Sequence, residues 1–217
     1  MNPLLETASI GVADTPLSVL VLVALVSLVP TLIILSTHFV RVVVVLAFAR
    51  QALGLQSTPP NLVLIIIALM VALTAQMDFY QRLYVDHVEP YQSGSISDVQ
   101  MYQGLYDGVT NHVRAKVDPE RTLRIHKALY GDDAANHPVG DHVIYPSFIV
   151  GELQNAFMVG FLIFIPFLVI DLIVASIVMA VGMIMVPPMT ISLPLKVLVF
   201  VLIDGWTLLV ETLLVSI

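Results

Sequence analysis

Glu152, Asp171, Lys196 and Asp204 stand as isolated charges in long apolar stretches of the second half of the chain. A charge in apolar surroundings needs a partner, a wet cavity or a job. Asp171 and Asp204, read here as buried carboxylates, are the residue type that relays protons in membrane pumps. The same residues could instead cap helix breaks or line a watery interior. Glu152 and Lys196 are opposite in sign and begin successive apolar helices. About 34 residues of helix separate Glu152 from the far end near Val186, or about 50 Å. A straight hairpin therefore keeps them apart. They can pair if the long helix folds back or if neighbouring subunits are staggered, and otherwise each reaches water by itself.

A second candidate is mechanical. Met183, Ile184 and Met185 adjoin Gly182 and Pro187-Pro188. Thioether side chains are long, soft and easily repacked, so a turn presenting them suits a pliable apolar constriction. Near a membrane helix end, methionine is also ordinary filler. His38 and Arg41, one helical turn apart, read as an interfacial polar end, with Arg41 reaching toward headgroups. His126, His137 and His142 lie near Asp132, Asp133 and Asp141, but their spacing matches no zinc pattern. The sequence contains no Walker A loop, GxGxxG, HExxH or GxSxG. No cofactor or metal is expected, nor an enzyme's nucleophile–base set.

These residues sit in 217 residues that are 58% hydrophobic and 12% charged. Soluble domains carry roughly 45–50% apolar and about 25% charged residues, so the composition favours a membrane protein. The net charge of -7 argues against nucleic acid, which demands clustered Lys and Arg. With no cysteine, disulfides, thiol catalysis and iron–sulfur clusters are excluded. The opening MNPLLETASIGVADTPLS lacks a basic n-region and is expected not to be a secretory signal.

Thr15-Pro16 reads as a cap and first helical residue before an apolar run from Leu17 to Leu35. A second apolar stretch is bracketed by Arg41 and Arg50. Gln56 to Pro60 breaks the chain, and Asn61 is expected to cap Leu62–Met77. Residues 78–152 contrast sharply, with six Lys/Arg against eleven Asp/Glu. There Val99, Tyr102, Leu105, Tyr106, Val109 and Val113 recur at helical spacing. Asp118-Pro119 opens another helix that Gly131 closes, and 131–146 reads as turn. Ser147 is expected to cap a helix running to Val186, about 60 Å if straight, against a hydrocarbon core of about 30 Å. It must project from the lipid or break near Pro166 and Asp171. A last helix is expected from Ser192 to Ile217.

The expected fold is all-α. Residues 1–77 form an N-terminal hydrophobic hairpin, 78–146 a polar, mostly helical extracytoplasmic domain, and 147–217 a C-terminal hydrophobic hairpin. Basic residues favour the cytoplasm, which places 38–60 and the Pro187-Pro188 turn inside and 78–152 outside.

Three blocks carry a resemblance: FVRVVVVLAFARQALGLQSTPPN (Phe39–Asn61), GELQNAFMVGFLIFIPFLVIDLIVASIVMAVGMIMVPP (Gly151–Pro188) and ISLPLKVLVFVLIDGW (Ile191–Trp206). In this order they resemble the FliP/SctR family, the export-gate subunit of bacterial flagella and type III secretion injectisomes. The expected lack of a signal peptide points toward injectisomes, whereas the wording FIPFLVIDLIVAS and MVPP points to flagella, and the flagellar reading is the one expected.

The resemblance implies a non-enzymatic, all-helical subunit. About five copies would assemble with FliQ/SctS-type and FliR/SctT-type subunits into a staircase-like channel for unfolded proteins. That complex would sit largely raised on the outer side of the bacterial inner membrane, in a flagellar basal body or injectisome base. The resemblance further implies that Met183, Ile184 and Met185 form a pore gasket, stiffened by β-branched Ile184. It also implies that Glu152 and Lys196 form an intersubunit ion pair. The rival reading from the residues is a secondary transporter or proton channel using Asp171 and Asp204.

Overall fold

The computed structural model describes residues 36–183 and 186–217, all within one compact unit, Ser36–Ile217. The expected Leu17–Leu35 segment and its Thr15-Pro16 start lie outside the described residues. The described residues form helices and no strand: α1 (Phe39–Ala52), α2 (Asn61–Ala75), α3 (Met77–Leu83), α4 (Glu89–Gln92), α5 (Asp98–Lys116), α6 (Pro119–Tyr130), α7 (Asp141–Ala180), α8 (Pro188–Leu202) and α9 (Gly205–Ser216). A π-helical turn, Tyr84–Val88, joins α3 to α4, and a 3-10 turn, Gly131–Asn136, follows α6.

Helix α1 is the hub. Its Val42, Val45, Leu46, Ala49 and Ala52 recur at helical spacing and are fully buried. They pack with Leu64, Ala68 and Val71 of α2, Ala156 and Phe167 of α7, Phe200 of α8, and Leu209 and Leu213 of α9. A smaller cluster of Val113, Ile144 and Phe148 ties α5 to the start of α7. Each large buried side chain contributes about 1.5–3 kcal/mol relative to exposure, so the α1–α7 contact is a principal source of cohesion.

Several expectations hold. Asp118 caps α6 by accepting the Glu120 N–H at 3.0 Å, Pro119 takes the first turn, and Gly131 ends the helix at φ 58°. Others are corrected. Asn61 is the first residue of α2 rather than its cap, and its Oδ1 accepts from Arg50 Nη1 at 2.7 Å. Ser147 is no cap. The long helix begins at Asp141, absorbs Pro146 and Pro166, and runs unbroken for 40 residues. Pro146 is the sixth residue of the helix, past the first turn whose N–H groups lack partners, so it forgoes one bond to the carbonyl four residues earlier. Pro166 removes one interior bond, a cost of about 3 kcal/mol that the packing of Phe167 against Phe200 helps to offset.

The single last helix expected from Ser192 is two, meeting at a 65° bend. Asp204 forms the corner in the left-handed region at φ 52°, a conformation that aspartate tolerates better than bulkier residues. A second bend of 62° separates Asn61–Ala75 from Met77–Gln92. Among the described residues, one helix, Asp141–Ala180, is long and apolar enough to cross a membrane. The number rises to three if each bent pair is one span.

Candidate functional site

Two charge clusters sit 19 residues apart along α7, at Glu152 and Asp171. The first is built where α1 begins. His38 precedes the helix and Arg41 follows within its first turn, so both point to the same end. Glu152 lies on the facing side of α7. Arg41 Nη2 donates to Glu152 Oε1 at 2.6 Å, and His38 Nδ1 lies 2.7 Å from Oε2. All three residues are buried, Glu152 to 4% exposure and Arg41 to 7%.

Lys116, at the end of α5, reaches His38 Nε2 at 2.6 Å. An ammonium can only donate, so Nε2 accepts and the neutral imidazole carries its proton on Nδ1. His38 therefore donates to Glu152. Arg41 Nη1 also donates to the Ser216 carbonyl at the end of α9. One carboxylate thus ties together α1, α5, α7 and, through Arg41, α9. Short, charge-assisted bonds of this kind are about twice as strong as neutral ones.

His112, one turn before Lys116, stacks on Phe79 with ring centroids 3.8 Å apart. Burial, followed by the nearby charge of Lys116, pushes its pKa down to about 4.

The second cluster lies toward the far end. Lys196 of α8 donates to Asp171 Oδ2 at 2.5 Å and to the Ala52 carbonyl at 3.0 Å. Lys196 is buried, whereas the Asp171 side chain is 37% exposed. Asp171 stands 13 residues before position 184 and Lys196 stands 12 after it. Antiparallel return of α8 along α7 therefore brings them level.

Glu152 and Lys196 do not meet within the chain. Asp171 and Glu152 share α7 and are 19 residues apart, about 28 Å along the axis. The expectation of two buried carboxylates is also corrected. Asp171 is half-exposed beside its lysine, and Asp204 is exposed on its corner. Met183 is exposed and follows Gly182, whose φ of 80° turns the chain. Ile184 and Met185 lie outside the described residues.

The residues that sequence reasoning missed are His38, Arg41 and Lys116 as one network with Glu152. Arg41 is not an interfacial residue reaching to headgroups. Its guanidinium is buried against a carboxylate. The available signal was that Arg41 and Glu152, like Lys196, are lone charges of opposite sign in apolar sequence. His137 stacks on Tyr130 at 4.2 Å, and His142 Nε2 lies 2.8 Å from the Tyr130 hydroxyl. No group of three His or acidic residues placed to hold a metal occurs among the described residues.

This is the build of an all-helical protein with one long apolar helix that holds charges on its faces. A family profile described as "FliP family" matches residues 22–213. The "Flagellar biosynthetic protein FliP" of Caulobacter vibrioides is 38% identical over 209 residues, spanning 95% of this chain and 78% of that protein. The protein of the same name from Bacillus subtilis is 37% identical over 207 residues, with 94% and 92% covered. That of Aquifex aeolicus is 38% identical over 201 residues, with 91% and 84% covered. The chain belongs to the FliP family, a family of flagellar biosynthesis and type III protein export.

Proposed function

We propose that the chain is a pore-forming, non-enzymatic subunit of the export gate. About five copies would surround a path for unfolded proteins across the bacterial inner membrane, together with FliQ/SctS-type and FliR/SctT-type subunits, in a flagellar basal body. The two expected hydrophobic hairpins, 1–77 and 147–217, would be its membrane-type elements. The observation that carries the reading is the extent of apolar surface that one chain leaves uncovered on α7, α8 and α9. Phe161 is 66% exposed, Leu202 74% and Val215 89%. Exposed apolar side chains in such number mark a contact with protein or lipid. Met183, Ile184 and Met185 would line the constriction.

An intersubunit Glu152–Lys196 pair would add a third donor to Glu152 and use the third N–H of Lys196, whose other two go to Asp171 and the Ala52 carbonyl. The charge-swapped double variant would be a poor test, because Glu152→Lys places a third cation beside Arg41 and Lys116. The cysteine-free background offers a cleaner one. Asn155→Cys with Val199→Cys, each one turn from its charge, is expected to give a ladder of disulfide-linked multimers on oxidation. Monomer alone would remove the pairing. Mass measurement of the detergent-extracted assembly tests the gate itself, which predicts a hetero-oligomer. A lone, active protomer would instead favour a transporter.

A further inference from the structure

One face of α5 carries Gly104, Gly108, His112 and Lys116 at every fourth position, a spacing that stacks residues along one side of a helix. The two glycines let the helix lie close. A Cβ at 104 would collide with His87 of the π-helical turn, and one at 108 with Leu83 of α3. His112 then stacks on Phe79 of α3, and Lys116 ends the stripe on His38 Nε2. The contact sets His38 level with the polar domain, which corrects, for this residue, the expected separation of 38–60 from 78–152.

The Lys116–His38 bond depends on one proton. An ammonium only donates, so the bond exists while Nε2 keeps a free lone pair. Once Nε2 is protonated, two cationic donors face each other across 2.6 Å. On the other edge of the ring the change has the opposite sign. Nδ1 lies 2.7 Å from Glu152 Oε2, and an imidazolium binds a carboxylate more strongly than a neutral ring does. Acid therefore weakens only the bond to Lys116. His38 is 2% exposed, whereas Lys116 is exposed and makes no other hydrogen bond among the described residues.

Every element packed around this pair contributes charge. Arg41 of α1 holds Glu152 of α7, Arg82 of α3 lies near His112, and Arg121 of α6 borders the same corner. Glu152 already holds two donors, and Asp118 caps α6. Ser216 of α9 brings a carbonyl that Arg41 occupies, with Ile217 beside it. Side-chain cations outnumber side-chain carboxylates here, so a proton on His38 adds to an existing excess.

We propose that Lys116 and His38 form an acid-released latch. When Nε2 is protonated, the last turn of α5 lets go of the head of α1, while His38 stays on Glu152. The rest of α5 remains attached, because Val113 packs with Ile144 and Phe148 of α7, and the Thr110 and Tyr145 hydroxyls lie 3.4 Å apart. Acid on the side of the polar domain thus loosens the turn between α5 and α6 from the hub without unfolding the hub. The latch needs no neighbouring subunit, so it stands or falls separately from the export-gate reading.

The test is hydrogen–deuterium exchange of the full chain in detergent, corrected for the pH dependence of intrinsic amide exchange. The range from about pH 7.5 to about pH 4.5 spans ordinary imidazole titration. Across it, the amides at 115 and 116 are expected to lose protection about tenfold, the scale of one charge-assisted hydrogen bond. Amides at 45–49 in the hub are expected to keep theirs. His38→Gln, whose amide can accept from Lys116 and donate to Glu152 without titrating, is expected to stay protected throughout. Lys116→Met is expected to lack that protection at every pH, and His112→Phe to respond as the unaltered chain does. Protection independent of pH in the unaltered chain overturns the latch, as does the same acid loss in His38→Gln or Lys116→Met. A response abolished by His112→Phe would assign it to His112 and overturn the latch as well.

Discussion

The two charge clusters along α7 solve the same problem differently. At the Glu152 end the carboxylate is buried and holds two donors, and neighbouring elements supply a third and a fourth contact to those donors. At the Lys196 end the lysine is buried but its carboxylate is half in water, with a backbone carbonyl completing the shell. Taking two charges out of water costs several kcal/mol per ion and is offset only by good geometry and satisfied hydrogen bonds. The first cluster comes close to that demand inside one chain, with only Arg41 Nε left buried without a partner, and fixes how four helices meet. The second leaves Asp171 partly exposed with its Oδ1 lacking a partner, so it is the end better able to exchange partners during assembly.

The largest effect that would break this contrast is expected from Arg41→Met. It leaves Glu152 with only a neutral donor in a buried site, at a cost of about 3–5 kcal/mol. Denaturant unfolding of the purified chain measures it, and a loss below 1 kcal/mol would mean the cluster is not structural. Lys196→Met should cost less, about 1.5–3 kcal/mol for a lost charged hydrogen bond, because Asp171 can turn to water. If Lys196→Met proves the more damaging of the two, the ranking is inverted.

Acid should also tell the ends apart. The folded value of His112 is about 4, below the unfolded value of 6.5. The unfolded chain thus binds more protons between these values. Stability from His112 is complete above pH 6.5 and is lost as pH falls toward 4. His112→Phe is expected to flatten that slope, and an unchanged slope would assign the acid response to another group. The smallest effect is expected from Arg114→Ala, whose partner Asp141 lies 3.4 Å away on the surface. Exposed pairs contribute about 0.2–1 kcal/mol, so a thermal unfolding midpoint close to that of the unaltered chain is the expected result.

Much of the fold was legible because it follows from local chemistry. The Asp118-Pro119 start and Gly131 stop of α6 needed only capping rules. The helical spacing of Val99 to Val113 marked α5, although Val99, Tyr102 and Tyr106 prove exposed rather than core. The break at Gln56–Pro60 followed from proline. Less legible were the bends at Gln76 and Asp204, where no proline or glycine occupies the corner itself. The passage of α7 straight through Pro166 was also unreadable, since neighbouring helices decide whether a proline bends or is tolerated.

Composition and periodicity act over short stretches, so they alone mark this chain as helical, largely apolar and carrying a few lone charges. Three aligned blocks were enough to indicate its family. Which charge meets which is set by the packing of the helices. Glu152 faces Arg41 and His38 from more than a hundred positions away, and Lys196 faces Asp171 through the return of α8. Pairing strength depends on distance and local dielectric, and neither exists until the helices have packed.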